Sequence, residues 1–174
     1  MDSATPRIII LDGPSGTGKS SIARALQEAR LPEVWLSFSM DTILYTLPPT
    51  VLDQINRLND WSGLDFSTVS AGALASLRAL ADAGNRIVFD TTLVSPEAAT
   101  QLLDALQGLP IASVAIRCGW EELERRTLQR GDRTIEEVRS GFAASPKHLR
   151  YDLDLDTTAL SAEAAAREIA RGLF

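Results

Sequence analysis

Residues 13–20 read GPSGTGKS, a full match to G-x-x-x-x-G-K-[ST]. The glycines of such a loop let successive backbone N–H groups turn inward around a phosphate, and the helix that follows adds the partial positive charge of its N-terminus. Here an apolar run, RIIIL (7–11), precedes the loop and a helical pattern, SIARALQEA (21–29), follows it. The loop is therefore expected to hold a nucleoside triphosphate through Gly13, Pro14, Ser15, Gly16, Thr17, Gly18, Lys19, Ser20 and Ser21. Lys19 is placed to reach the β- and γ-phosphates and the Ser20 hydroxyl to ligate Mg²⁺.

Two acids end apolar runs further on. Asp41 closes SFSMD, where a carboxylate at the rim could accept the proton of an attacking hydroxyl, worth about 10²- to 10⁴-fold in rate. It reads equally well as the N-cap of TILYTL. Asp90 closes RIVFD and suits an acid that orients magnesium or contacts substrate; a turn or capping role fits the same position. The stretch EELERRTLQRGDRTIEE (121–137) pairs Glu121 with Arg125 and Glu122 with Arg126 at i, i+4, as a solvated helix face would. Arg126 and Arg130 form a like-charge pair on that spacing, Gly131 breaks the helix, and Arg133 precedes a Thr134–Glu137 capping box. Two helices joined by an arginine-bearing hinge describe a lid, over about 119–145, that excludes water from a phosphoryl transfer.

These residues need a scaffold. Five β-rich runs, 7–11, 34–40, 86–90, 111–117 and 151–157, alternate with helical patterns. Ser95 with Pro96 opens one helix, and Ser161 opens another that repeats Ala162, Ala165, Ile169 and Leu173 on one side. Such alternation implies an α/β fold with a parallel sheet between helices, and ligands at the carboxyl ends of the strands. The 174 residues suit a single domain. The net charge of −6 argues against a nucleic-acid partner, and no apolar run reaches membrane-spanning length. The start, MDSATPR, lacks the character of a secretory signal, and one cysteine, Cys118, suits a buried small hydrophobe in a reducing cytoplasm. His148, the only histidine, leaves no histidine-based metal cluster and reads as a surface or strand-entry residue.

GPSGTGKS, WLSFSMDTIL, RIVFDTT, VAIRC, QRGDR and YDLDLDTT occur in the order and approximate spacing of the chloramphenicol phosphotransferases, and the chain resembles that family over nearly its whole length. The family comprises small P-loop kinases that phosphorylate the primary hydroxyl of an antibiotic. The resemblance implies a three-layer sandwich with a five-stranded parallel sheet in the order 2-3-1-4-5. It implies ATP and Mg²⁺ as cofactors, Asp41 as general base, and Arg130 and Arg133 as lid residues facing ATP; Arg126 is a further candidate for nucleotide binding. The segment LYTLPPTVLDQINRLNDWSGLDFST (44–68) departs from the family. Leu44, Leu47, Leu52, Trp61 and Phe66 there would either line an apolar acceptor cleft, beside Asp41 and Asp90, or lie in the core under an irregular loop. Three readings stay open: an antibiotic O-phosphotransferase, a metabolic kinase for a nucleoside, sugar or small acid, and a nucleotide sensor without an acceptor.

Overall fold

A computed structural model describes residues 5–58, 60–131 and 134–174. Along them run β1 (Ile8–Asp12), α1 (Lys19–Ala29), β2 (Trp35–Ser39), α2 (Met40–Leu44), α3 (Pro49–Leu58), α4 (Phe66–Asp82), β3 (Arg86–Thr91), α5 (Pro96–Ala105), β4 (Ile111–Arg117), α6 (Trp120–Arg130), α7 (Ile135–Ala144), β5 (Leu153–Asp156) and α8 (Ala162–Leu173). The strands pair in parallel in the order β2-β3-β1-β4-β5, as the resemblance implied.

β1 explains why its run is continuously apolar. Ile9 and Leu11 enter a core with Ile22 and Leu26 of α1 and Ala165 and Ile169 of α8. Ile8 and Ile10 enter a second core with Leu77 and Ala81 of α4 and Ala99 and Leu102 of α5. A central strand covered on both faces has no polar side to show. The register sets Asp12 beside Thr91 and Ala115, and Asp90 beside Leu11 and Ser39, so the acidic strand ends converge on one edge.

The predicted helix starts at Ser95 and Ser161 are present, each hydroxyl accepting from the N–H three residues on. Other expectations shift. β2 ends at Ser39, and β5 spans only Leu153–Asp156, leaving Tyr151 ahead of it. Glu121 does not take Arg125: Glu122 binds both Arg125 and Arg126, which hold its carboxyl at about 2. The segment 44–68 holds α3 (Pro49–Leu58), and at its end Asp65 caps α4 by accepting from Ser67 N and Thr68 N. The Ser67 and Thr68 hydroxyls, with those backbone bonds, hold the Asp65 carboxyl at about 2. A carboxyl depressed by folding stabilises above its unfolded value of 3.8 and loses that contribution as pH falls through the folded one. The Ser67 and Thr68 amide resonances should therefore move together between about pH 4 and 2 as the first turn of α4 frays.

At the opposite end of the sheet, Glu33 gathers Arg30, Arg86 and the Trp35 Nε1–H. Phe174 meets Trp35 edge-on at 5.7 Å, under the Arg30 guanidinium. This corner closes the chain end onto β2, far from the acidic edge. Among the described residues no helix is long and apolar enough to cross a membrane.

Candidate active site

The phosphate loop is held by contacts that its motif does not announce. Gly13 runs so close to β4 that a Cβ there would lie 2.2 Å from the Ile116 carbonyl oxygen. Gly18 stands at φ +94°, a left-handed conformation that costs any other residue free energy. Lys19 is buried, and its ammonium donates to Gly13 O at 2.8 Å and Pro14 O at 3.0 Å, with Asp90 Oδ1 at 3.7 Å. Burial pushes its pKa down, while the charges of Asp90, Asp12 and Asp41 pull it back up. Ser20 Oγ donates to Asp90 Oδ2 at 2.6 Å. Of the two sequence readings of Asp90, the turn or cap gives way to a carboxylate joined to both motif side chains.

The cap reading of Asp41 also fails. Ser39 caps α2 and exchanges hydrogen bonds with Thr42 in a capping box, so Asp41, in the first turn, is not consumed by capping. Asp41 is half-buried, and its charge is among those that favour the Lys19 ammonium.

On the other flank a cleft of about 390 Å³ is lined by Gly16, Gly18, Ser21, Arg126, Arg130 and Leu160, among others. Arg126 does more than decorate a solvated face: it spans from Glu122 to Thr17 O at 3.4 Å and Thr157 O at 2.9 Å. Thr157 is itself buried and donates to Thr17 O at 2.9 Å, pinning the end of β5 to the loop. Arg133 and the Glu137 side chain lie outside the described residues. α6 and α7 share a small core of Cys118, Leu123 and Val138, flanked by Trp120. Burial there pushes the Cys118 thiol up, as befits the hydrophobic role expected of it.

In the segment 44–68 it is Ile55 that enters the core. Leu44, Leu47, Leu52 and Trp61 are half-buried and Phe66 is exposed, with the Trp61 and Phe66 rings edge-on at 5.4 Å. His148 is half-buried with Nε2 enclosed and lacking a hydrogen-bond partner. The largest omission of the sequence reading is Asp12. It is fully buried and accepts three hydrogen bonds, from Leu93 N, Ser145 Oγ and Tyr151 OH. Thr157 and Leu160 were also missed; only the YDLDLDTT run hinted that β5 would end at the loop.

The loop, its lysine and a Ser–Asp oxygen pair adjoin an open cleft, an arrangement suited to phosphoryl transfer. Among the described residues no three His, Cys, Asp or Glu side chains gather as a metal cage. Magnesium in such sites needs none, since one or two protein oxygens, phosphate oxygens and water complete its shell.

A family model described as chloramphenicol phosphotransferase-like protein matches residues 6–173. A Mycobacterium tuberculosis protein named "Putative O-phosphotransferase" is 30% identical over 94% of this chain and 80% of its own length. A guanylate kinase of Streptomyces coelicolor is 27% identical over 95% of this chain and 89% of its own. Among solved structures, the Mycobacterium tuberculosis APS kinase in complex with AMPPNP and APS superposes with a TM-score of 0.69 at 18% identity, over 97% of this chain and 98% of that one. That likeness is one of fold.

Proposed function

The chain belongs to the chloramphenicol phosphotransferase-like family of P-loop O-phosphotransferases, and from that premise we propose an ATP- and Mg²⁺-dependent kinase that phosphorylates a hydroxyl of a small, partly apolar molecule. Chloramphenicol or another antibiotic alcohol is the acceptor class proposed first, and the cytoplasm the compartment. What supports this reading is the strand-end geometry: the Lys19 ammonium is buried with Asp90 Oδ1 at 3.7 Å, and Asp41 follows closely on β2, whose last residue, Ser39, pairs in register with Asp90. In this reading the acceptor hydroxyl arrives at the rim where Asp41 follows β2.

The side chains divide the work. Main-chain amides of residues 13–18 and the Lys19 ammonium grip the triphosphate. Ser20 and Asp90, hard oxygen donors already 2.6 Å apart, fit magnesium, which when bound supplies charge neutralisation on the phosphates. Asp41 aligns the acceptor and takes its proton as the acceptor oxygen bonds to the γ-phosphorus and the β,γ-bridge breaks, leaving ADP. Arg126 and Arg130 border the nucleotide cleft, and Arg130, with Arg133, offsets charge on the transferring group. α6 and α7 act as the lid, keeping water from competing as acceptor. Leu44, Trp61 and Phe66 supply apolar surface to the acceptor beside Asp41 and Asp90.

The guanylate kinase relative raises a second reading, a nucleoside monophosphate as acceptor. An anionic acceptor needs cations to receive it. Between residues 43 and 66 the sequence offers Arg57 alone against Asp53, Asp60 and Asp65. Arg57 is exposed and taken by Asp53 at 2.5 Å. An uncharged alcohol suits that surface better. Incubation with ATP and Mg²⁺ against hydroxylated antibiotics, sugars, nucleosides and GMP, read by mass spectrometry, should give a product heavier by one phosphoryl group with an antibiotic alcohol. Phosphorylation of GMP, or no acceptor-dependent ADP release at all, would overturn the proposal.

A further inference from the structure

Asp12 lies just ahead of the phosphate-binding motif, which makes no use of it, and its side chain is completely enclosed. A buried carboxylate is strongly unfavourable unless its hydrogen bonds are made. Here Oδ1 accepts from Leu93 N at 2.9 Å and from Ser145 Oγ at 2.8 Å, and Oδ2 accepts from Tyr151 OH at 2.5 Å. The three donors come from the loop after β3, the C-terminal end of α7 and the approach to β5. Ser145 and Tyr151 bracket the connector that returns the α6–α7 arm to the sheet. Burial, and the bond to Asp12, push the Tyr151 phenol upward, so it stays a donor at any working pH.

The same neighbourhood touches the phosphate loop directly. Gly141 of α7 approaches so near that a Cβ added there would come within 3.8 Å of Thr92 and 3.9 Å of Pro14, and Thr92 Oγ1 donates to Gly13 O at 2.8 Å. The start of the loop, the segment leaving β3 and the end of α7 form one packed unit with the Asp12 carboxylate inside it. We propose that Asp12 is a positioning residue for phosphoryl transfer: by gathering Leu93 N, Ser145 Oγ and Tyr151 OH it fixes the trailing end of the arm onto the first turn of the phosphate loop, so that the arm closes over the phosphates from a set pivot. The inference rests on reading α6–α7 as a lid.

Trypsin tests it without an acceptor, because the arm carries Arg125, Arg126, Arg130, Arg133 and Arg139. With saturating AMPPNP and Mg²⁺, Tyr151→Phe and Asp12→Asn should be cut within residues 120–144 about 10-fold faster than wild type. AMPPNP affinity should stay within about twofold, since neither side chain lies among those proposed to hold the nucleotide. The double variant Asp12→Ala/Tyr151→Phe should be cut no faster than Asp12→Ala, the signature of two groups acting through one contact. Glu33→Ala, at the far corner of the sheet, is the control: it should lower the thermal midpoint without accelerating cleavage of the arm. Should Asp12→Ala fail to fold, Tyr151→Phe combined with Ser145→Ala replaces it. The proposal is overturned if Tyr151→Phe is cut at the wild-type rate, if Glu33→Ala at equal loss of thermal midpoint is cut as fast, or if the double variant is additive. A failed acceptor panel with these cleavage results intact would remove the antibiotic reading and leave the clasp standing.

Discussion

Asp41→Asn is expected to lower phosphoryl transfer about 10²- to 10⁴-fold while AMPPNP binds as tightly as before, or slightly more tightly. The asymmetry follows from position. Asp41 belongs to the rim formed by β2 and β3, where Ser39 pairs with Asp90 in register, and it lies outside the loop that grips the phosphates. It is one of three carboxylates whose charge bears on Lys19, so neutralising it removes repulsion from an incoming triphosphate. The amide cannot take a proton, and the effect should therefore fall on kcat with the KM for acceptor little changed. Because the transition state is loose, part of the loss will reflect poorer alignment of the hydroxyl as well as the missing base. Rate and nucleotide affinity falling together would make Asp41 a support of the loop, and wild-type turnover in the variant would remove the assignment altogether. Either result is read from steady-state kinetics beside a nucleotide titration.

How much of this was legible in the sequence depends on the range over which each feature is encoded. The strands, the loop and the capped starts of α5 and α8 are written in windows of five to fourteen residues, and they stand within one or two residues of where the pattern put them. The cap of α2 was misassigned to Asp41, since Ser39 and Asp41 are both good caps and only the backbone shows which one is used. For the segment 44–68 the sequence offers an irregular loop as one of two readings, yet α3 fills Pro49–Leu58 there. The signal overlooked was Asp65 followed by Ser67 and Thr68, an N-cap pattern that starts a helix of 17 residues. Asp12 was beyond reach for a different reason. Its partners lie 81, 133 and 139 residues away, and an acid at the end of an apolar strand carries no local mark of a buried clasp. The cleft beside the loop is an intermediate case: Arg126 and Arg130 announce themselves by charge, whereas Thr157 and Leu160 join it only because β5 lies beside β4.

Gly13→Ala should cost about 3 kcal/mol of stability, more than Gly18→Ala, and the reason is not the one the motif suggests. The motif reading gives Gly13 to the phosphate, yet in the fold its missing side chain is demanded by β4. A methyl group there would sit 2.2 Å from Ile116 O, 3.2 Å from Ile116 C and 3.3 Å from Ile116 Cβ. None of these atoms can yield cheaply. Ile116 is fully buried, its carbonyl belongs to a strand paired on both sides, and Leu155 adjoins it across the ladder. Relief has to come from prising the end of β1 away from β4, which would also disturb Asp12 and the carbonyl that receives the Lys19 ammonium. Gly18→Ala is the comparison. Its Cβ would have open space, with Arg126 Nη1 at 4.0 Å, so the strain is that of a left-handed backbone alone, about 1–2 kcal/mol. For a domain of this length the two should separate by several degrees in thermal midpoint, at about 2–4 °C per kcal/mol. Gly18→Ala, the more stable of the pair, should nonetheless lose nucleotide affinity, because its carbonyl-to-amide turn starts the helix that faces the phosphates. If Gly13→Ala melted within a degree or so of wild type, the close approach of β1 to β4 would be wrong, and with it the account of how the loop is held.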